Sequence, residues 1–238
     1  MDNKIISVVL PAGGQGKRMK SSQNKQYLML NEEPILSHTW RVFARLTCVF
    51  IKEIILVVAD GEQQFCEDEV VKPYISEKHP EVKVISGGKE RQHSVFEGLK
   101  LVSEEVEMVV IHDGARPLVS EDVIYQTIGV ASESKSAISA VPVKDTIKMI
   151  NKNSNTVEKT LSRDQLVYVQ TPQVFDKELI IKAYENAFKK RMIGTDDSYL
   201  VEMLGHNVDV VQGDYQNIKI TTPEDLIVAK EILKERGS

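Results

Sequence analysis

Short apolar runs alternate along the chain with stretches of helical periodicity. Most of the runs are apolar at consecutive positions, which is typical of central strands covered on both faces. The predicted strands are Ile5–Leu10, Ile54–Val58, Val82–Ser86, Met108–His112 and Ala137–Val143. The predicted helices are Arg91–Val102, Glu121–Ala131, Asp176–Lys189 and a last one that begins at Thr222, an N-cap threonine followed by Pro223. The alternation predicts an α/β fold with a mostly parallel sheet, right-handed crossovers and helices on both faces.

The segment after the strand that ends at Val143 departs from this alternation. Residues 145–150 and 156–160 alternate in polarity and flank an Asn-rich turn, which predicts a β-hairpin. Such a hairpin is either a surface loop or an arm for dimerisation, because an isolated two-stranded hairpin is only marginally stable in water.

Composition narrows the function classes. The 238 residues fit one large α/β domain or two small ones. The net charge of -5 argues against a general nucleic-acid binder. Cys48 and Cys66 have no metal-motif spacing and predict no disulfide framework, which suits a reducing cytoplasm. We expect no signal peptide and no membrane helix, because no apolar stretch approaches the roughly 20 residues that a span needs.

The first predicted strand runs into a glycine-rich loop, Pro11 to Met19, which is the strongest candidate for a phosphate site. Glycines let backbone N–H groups approach phosphate oxygens closely, and ligands bind beyond the carboxyl ends of parallel strands. The loop is neither a Walker A motif, since Gly16-Lys17 is followed by Arg18, nor a dinucleotide fingerprint, since Met19 replaces the last glycine. A tight turn packed against the sheet remains an alternative.

Two cations on this loop, Arg18 and Lys25, suit the stabilisation of charge on a reacting triphosphate. Each is also explained by an ordinary solvated surface position. A second glycine turn follows the strand that ends at Ser86, where Gly88 and Ser94 are placed to read a base edge; neighbouring His93 is better explained as a surface or cap residue.

A third candidate site lies after the predicted strand Met108–His112. Asp113 suits Mg²⁺ together with phosphate oxygens, and is otherwise a turn or cap residue. Arg116 either binds a phosphate or braces that turn. Lys219 lies in a predicted apolar strand over residues 217–222, where it needs an anionic partner unless the strand is at an edge.

Taken together, these segments resemble the 2-C-methyl-D-erythritol 4-phosphate cytidylyltransferase family of sugar-phosphate nucleotidyltransferases. The motif residues that carry the resemblance are residues 8–25, 88–95, 112–117, 143–146, 170–173, 194–197 and 217–226. The resemblance implies a single Rossmann-like nucleotidyltransferase domain over residues 1–238, with a projecting β-arm inserted at about residues 143–166. It implies CTP and a polyol phosphate as substrates, Mg²⁺ as cofactor and a homodimer formed through the arm, in the cytoplasm, with no nucleic-acid or membrane partner.

The resemblance also implies a role for each matching residue. Arg18 and Lys25 match the catalytic pair at the α-phosphate, and Asp113 matches the metal-associated acid. The nucleotide-binding residues are Ala12, Gly13, Gly14, Gly16, Gly88 and Ser94. Arg163 and Lys219 match cations that position the substrate phosphate, and Thr146 matches a substrate contact made across the dimer.

The chain departs from the family pattern at two informative positions. Lys89 stands where an aspartate is common, which leaves any contact of that acid to base or ribose in doubt. Asn24 replaces the common proline before Lys25, a change expected to loosen the loop. Two alternatives remain: a ribitol 5-phosphate cytidylyltransferase of teichoic acid synthesis, and a non-catalytic nucleotide-binding module on the same fold.

Overall fold

The computed structural model describes residues 4–14 and 24–237. The strands are β1 (Ile5–Pro11), β2 (Met29–Leu30), β3 (Glu33–Pro34), β4 (Phe50–Val58), β5 (Glu81–Ser86), β6 (Met108–Ile111), β7 (Ser136–Pro142), β8 (Lys148–Asn151), β9 (Thr156–Thr160), β10 (Val167–Asp176) and β11 (Asp209–Gln212). The helices are α1 (Ile35–Ala44), α2 (Gln63–Cys66), α3 (Arg91–Leu99), α4 (Glu121–Ser134), α5 (Lys177–Lys189), α6 (Asp197–Glu202) and α7 (Pro223–Glu235). A π-helical turn, Glu67–Val71, extends α2.

Seven strands form one central sheet in the order β11-β7-β10-β6-β1-β4-β5. Strand β10 pairs antiparallel with β6 and β7, and every other pairing is parallel. The prediction of a mostly parallel α/β sheet is therefore confirmed. The carboxyl ends of β1, β4, β5 and β6 meet at the same edge of the sheet.

The sheet is buried on both faces because its central strands are apolar at successive positions. In β1, Val8 and Leu10 point into one core while Val9 points into the other. The first core is closed by α1 and α4, and the second by α3, α5 and α6. The predicted helical cover on both faces is confirmed.

A third, smaller core packs α7 against the region of the β2–β3 hairpin and includes Ile220. Helix α7 begins where the sequence predicts it: Thr222 and Asp225 form a capping box with Pro223 in the first turn. Among the described residues, no helix has the length and apolar character needed to cross a bilayer.

The predicted hairpin is present as β8 and β9, which pair with each other in a sheet separate from the central one. Its first strand begins at Lys148 rather than at residue 145. The Asn151 side chain accepts hydrogen bonds from the backbone N–H groups of Asn153 (3.0 Å) and Ser154 (3.2 Å), which fixes the turn. All residues of both strands are exposed, including the apolar Ile150 and Val157.

Candidate active site

A cavity of about 790 Å³ lies at the carboxyl ends of β1, β4, β5 and β6. This is the edge at which open α/β sheets bind ligands, and the volume is within the usual range for small-molecule sites. The residues that line it come from four strand-end loops, from the segment around Lys25 and from the segment around Lys219. Eight of the predicted site residues line this cavity: Ala12, Gly13, Gly14, Lys25, Gly88, Ser94, Asp113 and Lys219.

Backbone hydrogen bonds hold the strand-end loops beside one another beyond the last paired residues. The Ala12 N–H donates to the Val57 carbonyl at 2.7 Å, and the Gly87 N–H donates to the Val58 carbonyl at 2.7 Å. Packing requires a small residue at Gly13, where a Cβ would lie 3.3 Å from the Ala59 nitrogen. At Gly14 a Cβ would meet none of the described atoms within 4 Å, and this glycine lines the cavity.

The Gly87–Gly88 turn has no room for side chains. A Cβ on Gly87 would lie 2.5 Å from the Ser94 hydroxyl oxygen, and a Cβ on Gly88 would lie 2.4 Å from the His93 Cβ. The Ser94 hydroxyl accepts a hydrogen bond from the Gly88 N–H at 3.1 Å and thereby braces the turn. The ring centroids of His93 and Phe188 are 5.2 Å apart, so half-buried His93 packs within α3 and is not the surface or cap residue expected.

Asp113 is buried at the floor of the cavity and is surrounded by three cations. Its Oδ1 lies 3.1 Å from Arg91 Nε, and its Oδ2 lies 2.8 Å from Lys219 Nζ and 3.5 Å from Arg116 Nε. Burial alone would raise the pKa of Asp113, but Arg91, Lys219 and Arg116 outweigh burial and hold that pKa well below its usual range. Asp113 is therefore a carboxylate, which is the form that a metal ion binds.

A buried histidine and threonine hold the backbone of Asp113. The Thr171 hydroxyl oxygen accepts from the Asp113 N–H at 3.0 Å and lies 3.1 Å from His112 Nδ1. His112 Nε2 faces the Arg116 carbonyl at 3.0 Å, and a carbonyl can only accept, so the proton of the neutral ring is on Nε2 and Nδ1 accepts from the Thr171 hydroxyl. Burial lowers the pKa of His112 to about 4, which keeps the ring neutral and the network intact near pH 7.

Lys219 reaches Asp113 from an irregular loop, and the predicted strand over residues 217–222 is wrong. The backbone of this loop makes one sheet-like contact, from the Ile220 N–H to the Ala115 carbonyl at 2.8 Å. The apolar alternation arises because Ile220 packs into the third core while Lys219 faces the cavity. Lys219 does contact an anion, the Asp113 carboxylate, although it lies in a partly exposed loop and not in a buried strand.

Arg116 braces the same loop. Its Nη1 donates to the Asn217 carbonyl at 2.7 Å, and the buried Asn217 side chain donates to the Thr171 carbonyl at 2.8 Å. Arg116 thus braces the loop that carries Lys219, and not only the turn after Asp113, while its binding of a phosphate stays a prediction.

Lys25 lies in a short 3₁₀ turn, Lys25–Tyr27, and its Nζ donates to the Ile220 carbonyl at 3.0 Å. One carboxylate holds a residue on each side of this lysine: Glu62 accepts from Asn24 Nδ2 and, at 2.9 Å, from the Tyr27 hydroxyl. Asn24 is thus anchored by a hydrogen bond where the family pattern has a proline ring.

Two predicted site residues, Gly16 and Arg18, lie outside the described residues. Two others, Thr146 and Arg163, are not among the residues that line the cavity. Thr146 is exposed near the base of the arm, and Arg163 is exposed in a 3₁₀ turn, where its Nη1 donates to the Lys144 carbonyl at 2.9 Å. The single chain therefore leaves these two residues away from Asp113 and Lys219.

Arg91, Asp197 and Tyr184 were not predicted as site residues, and the fold brings them together beneath the cavity. Arg91 resembles an ordinary first-turn helical residue, because its partners Asp113 and Asp197 are 22 and 106 positions away along the chain. The available signal is that Arg91 and Asp197 lie in residues 88–95 and 194–197, two of the motifs that carry the family resemblance.

Comparisons with known proteins agree over nearly the whole chain. Residues 6–235 match the family model described as IspD: 2-C-methyl-D-erythritol 4-phosphate cytidylyltransferase. The protein of that name from Alkaliphilus oremlandii is 50% identical over 230 residues, covering 97% of this chain and 95% of the relative. The solved structure of 4-diphosphocytidyl-2C-methyl-D-erythritol synthase from Anaerococcus prevotii superposes with a TM-score of 0.85 at 35% identity, covering 98% of this chain and 100% of that one. The structure of the Francisella tularensis 2-C-methyl-D-erythritol 4-phosphate cytidylyltransferase superposes with a TM-score of 0.79 at 31% identity, covering 95% of this chain and 98% of that one.

Proposed function

Because the chain belongs to the 2-C-methyl-D-erythritol 4-phosphate cytidylyltransferase family, we propose that it transfers CMP from CTP to 2-C-methyl-D-erythritol 4-phosphate. The products are 4-CDP-2-C-methyl-D-erythritol and pyrophosphate, in isoprenoid precursor synthesis by the non-mevalonate pathway. The observation that carries the proposal is one cavity that combines a glycine loop, a side-chain-free turn and the charged groups of Lys25, Asp113 and Lys219.

In this reaction an oxygen of the substrate phosphate attacks the α-phosphorus of CTP, and the bond from that phosphorus to the pyrophosphate oxygen breaks. Negative charge grows on the α-phosphate and on the leaving pyrophosphate, so preorganised cations lower the barrier. We assign this role to Lys25. Its Nζ donates to the Ile220 carbonyl, so Lys25 lies beside the loop that carries Lys219. Arg18 is proposed as its partner on the sequence resemblance alone.

The cavity also offers places for the two ends of CTP. Ala12, Gly13 and Gly14 line the cavity, and such small residues allow a triphosphate to approach the backbone closely. The braced Gly87–Gly88 turn presents backbone groups to a base without interference from side chains. Lys89 is exposed at the rim of the same cavity, so a cation stands there in place of the common aspartate.

We propose Mg²⁺ as the cofactor, with Asp113 as its protein ligand. A single ionised carboxylate fits this ion, because Mg²⁺ at phosphate sites is held by one or two carboxylates together with phosphate oxygens and waters. When bound, the ion neutralises charge on the phosphates of the nucleotide. Asp113 supplies the oxygen, and Lys219 Nζ contacts that carboxylate at 2.8 Å.

We further propose a homodimer in which the arm completes the partner's site. The exposed apolar residues of the arm, among them Ile150 and Val157, support a partner surface. Arg163 and Thr146 are proposed to bind the alcohol phosphate of the partner's cavity. A cytoplasmic location stays a prediction, supported by the unpaired state of Cys48 and Cys66.

Pyrophosphate release tests the reaction. The protein is incubated with CTP, Mg²⁺ and either 2-C-methyl-D-erythritol 4-phosphate or ribitol 5-phosphate, and pyrophosphate is measured. We expect release that depends on the methylerythritol phosphate and on CTP rather than UTP. Faster turnover with ribitol phosphate would favour the teichoic acid enzyme, and the absence of release with both alcohols would favour a nucleotide-binding module.

A further inference from the structure

A chain of four side chains runs from the floor of the cavity into the second core. Arg91 Nε donates to Asp113 Oδ1 at 3.1 Å. The two terminal nitrogens of Arg91 donate to the carboxylate of Asp197, Nη1 to Oδ1 at 2.9 Å and Nη2 to Oδ2 at 2.7 Å. The Tyr184 hydroxyl donates to Asp197 Oδ1. The guanidinium of Arg91 therefore uses all three of its nitrogens between two carboxylates.

The far end of this chain is fixed. Asp197 and Tyr184 are fully buried, and Tyr184 packs in the second core against the Phe96 ring. A two-point contact between a guanidinium and a carboxylate sets the plane of the guanidinium as well as its position. Arg91 is consequently held in one orientation, although 31% of its side-chain surface is open to the cavity.

The near end determines how the carboxylate of Asp113 is turned. Arg91 holds Oδ1, while the two other cations, Lys219 and Arg116, lie against Oδ2. Arg116 is tied to the Asn217 carbonyl and is 3.5 Å away, whereas the Lys219 side chain is 37% exposed and makes the close contact. Oδ1 is thus held by the fixed Arg91, and the close contact to Oδ2 comes from the more exposed Lys219.

We infer that Arg91 is a positioning residue: it fixes Asp113 with Oδ1 turned toward the protein and Oδ2 toward the ligand, so that Oδ2 can exchange the Lys219 ammonium for the metal ion of a bound metal–CTP complex. The inference rests on the proposed function. Charge near the carboxylate is not enough for this role, because the planar fork of Arg91 is what joins Asp113 to the fixed Asp197. A lysine keeps the charge but cannot reach both partners with that geometry.

The test compares Arg91→Lys with the wild-type protein, with Mn²⁺ as a paramagnetic substitute for Mg²⁺. Electron paramagnetic resonance gives the dissociation constant of Mn²⁺ from the complex of enzyme and CTP. Since residues that orient a metal ligand typically change metal affinity by 10- to 100-fold, we expect this constant to rise at least ~10-fold. The KM for methylerythritol phosphate, assayed at saturating metal and CTP, should stay within about twofold if only the metal–nucleotide side is affected.

Arg236→Lys is the matched control. Arg236 also has 31% of its side-chain surface exposed and also pairs with a carboxylate, that of Asp214, but it does not line the cavity. A rise in the Mn²⁺ constant below ~10-fold, or an equal rise in the control, overturns the inference. The inference is also overturned if Arg91→Lys raises the Mn²⁺ dissociation constant and the KM and lowers the melting temperature together, because that pattern indicates a general structural role.

A second variant covers the case in which Arg91→Lys does not fold. Tyr184→Phe removes only the hydroxyl that donates to Asp197 and keeps every charge and nearly all the volume. It should raise the same Mn²⁺ constant, and an unchanged constant in folded Tyr184→Phe overturns the inference. Failure of the proposed function is distinguishable, because the wild-type protein itself would then bind no Mn²⁺ with CTP and release no pyrophosphate.

Discussion

At the scale of single residues, the floor of the cavity is a cluster of charges in which cations outnumber acids. Asp113 and Asp197 are surrounded by Arg91, Arg116 and Lys219, so the cluster has one excess positive charge when all five are ionised. Such an excess is unfavourable in a partly buried site without an anion. A triphosphate supplies the missing negative charge, which is why this cluster suits a nucleotide better than an uncharged ligand.

Lys25 gives the most direct test of the chemistry. Lys25→Ala removes a proposed transition-state cation, and losing one preorganised charge-stabilising group typically costs ~10²-fold or more in kcat. The same change removes the hydrogen bond from Lys25 Nζ to the Ile220 carbonyl, so kcat is compared at a temperature at which both proteins are folded. Lys100→Ala, at the exposed end of α3, is the control. Near-normal turnover of Lys25→Ala would mean that Lys25 is an ordinary surface cation.

The sequence predicted about half of the site at this scale. Residues at strand ends were predicted because a polar residue directly after an apolar run marks the end of a strand in an α/β fold. Asp113 is an example. Arg91 and Asp197 were missed because nothing local distinguishes a helical arginine from one whose partners are distant in sequence. The bracing role of Arg116 likewise depends on the Asn217 carbonyl, which only the folded loop brings near.

At the scale of elements, the five predicted strands and the start of α7 are confirmed because each carries its own local signal. The antiparallel β10 was not predicted, since strand direction depends on the connection and not on the strand's own residues. The false strand at Lys219 shows the opposite error. The polarity alternates there because Ile220 packs into the third core. A loop at the edge of a core can thus have the same alternating pattern as a half-buried strand.

The segment that carries Lys25 is held by a two-sided clamp, in which Glu62 accepts hydrogen bonds from Asn24 and Tyr27. Glu62→Ala releases Asn24 and Tyr27, one on each side of Lys25, so we expect kcat to fall by at least ~10-fold, because a displacement of about 1 Å in a catalytic group can cost ~10²-fold. The KM for methylerythritol phosphate should be nearly unchanged. Steady-state kinetics check this.

Glu69→Ala is the control for the clamp, because Glu69 is an exposed acid on the adjacent π-helical turn. If Glu62→Ala and Glu69→Ala have the same kcat, Lys25 does not depend on the clamp. Asn24→Pro separates the two ways of holding this residue: retention of wild-type kcat indicates that the proline ring and the hydrogen bond are equivalent.

Glu53 of β4 connects this strand to β5 and to the segment after α3. Because of these contacts, we expect the stability of the fold to decrease in acid. The fully buried carboxylate of Glu53 contacts Lys83 Nζ at 2.5 Å and accepts from the Ser103 N–H at 2.8 Å. Burial alone would raise the pKa of Glu53, but these hydrogen bonds and the charge of Lys83 outweigh it, so the pKa is lowered. The unfolded chain then binds more protons in acid, and this stabilisation is present above the unfolded pKa of about 4.3 and lost as pH falls through the folded value.

Glu53→Gln should therefore reduce the free energy of unfolding by about 2 kcal/mol at pH 7 and lose less stability than wild type between pH 7 and acid. Urea unfolding at pH 7 and at low pH measures both quantities. Glu81→Gln is the control, since Glu81 lies 3.6 Å from the same lysine but is 62% exposed. Parallel pH dependences in wild type and Glu53→Gln would exclude Glu53 as a source of acid sensitivity.

At the scale of the whole molecule, the proposed substrate cations lie on two separate parts of one chain. Lys219 lines the cavity, while Arg163 and Thr146 are exposed at the base of the arm. A symmetric dimer formed through the arm reconciles these positions, because each arm then reaches the cavity of the other subunit. The arm could be predicted from the sequence of its turn. Its contact with a second subunit could not be predicted in this way, because such a contact produces no periodic pattern in the sequence of a single chain.

Subunit mixing tests whether the site is shared. Lys25→Ala is defective in the cavity and Arg163→Ala in the arm, so neither homodimer has an intact site. In the mixed dimer, the cavity of the Arg163→Ala subunit meets the intact arm of the Lys25→Ala subunit. Equal mixing with free exchange should restore about a quarter of the wild-type sites, since about half of the dimers are mixed and each has one intact site. Pyrophosphate release at limiting methylerythritol phosphate measures the recovery, because loss of Arg163 should chiefly weaken binding of that substrate.

The control mixture is Lys25→Ala with Lys219→Ala, two changes that line the same cavity. Each cavity of that mixed dimer lacks one cation whichever arm it meets, so no activity should return. Recovery in the first mixture and not in the second requires that Arg163 act on a cavity other than its own. No recovery in either mixture, with exchange verified by mass spectrometry, would place Arg163 outside the partner's site and leave the arm with a role in association alone.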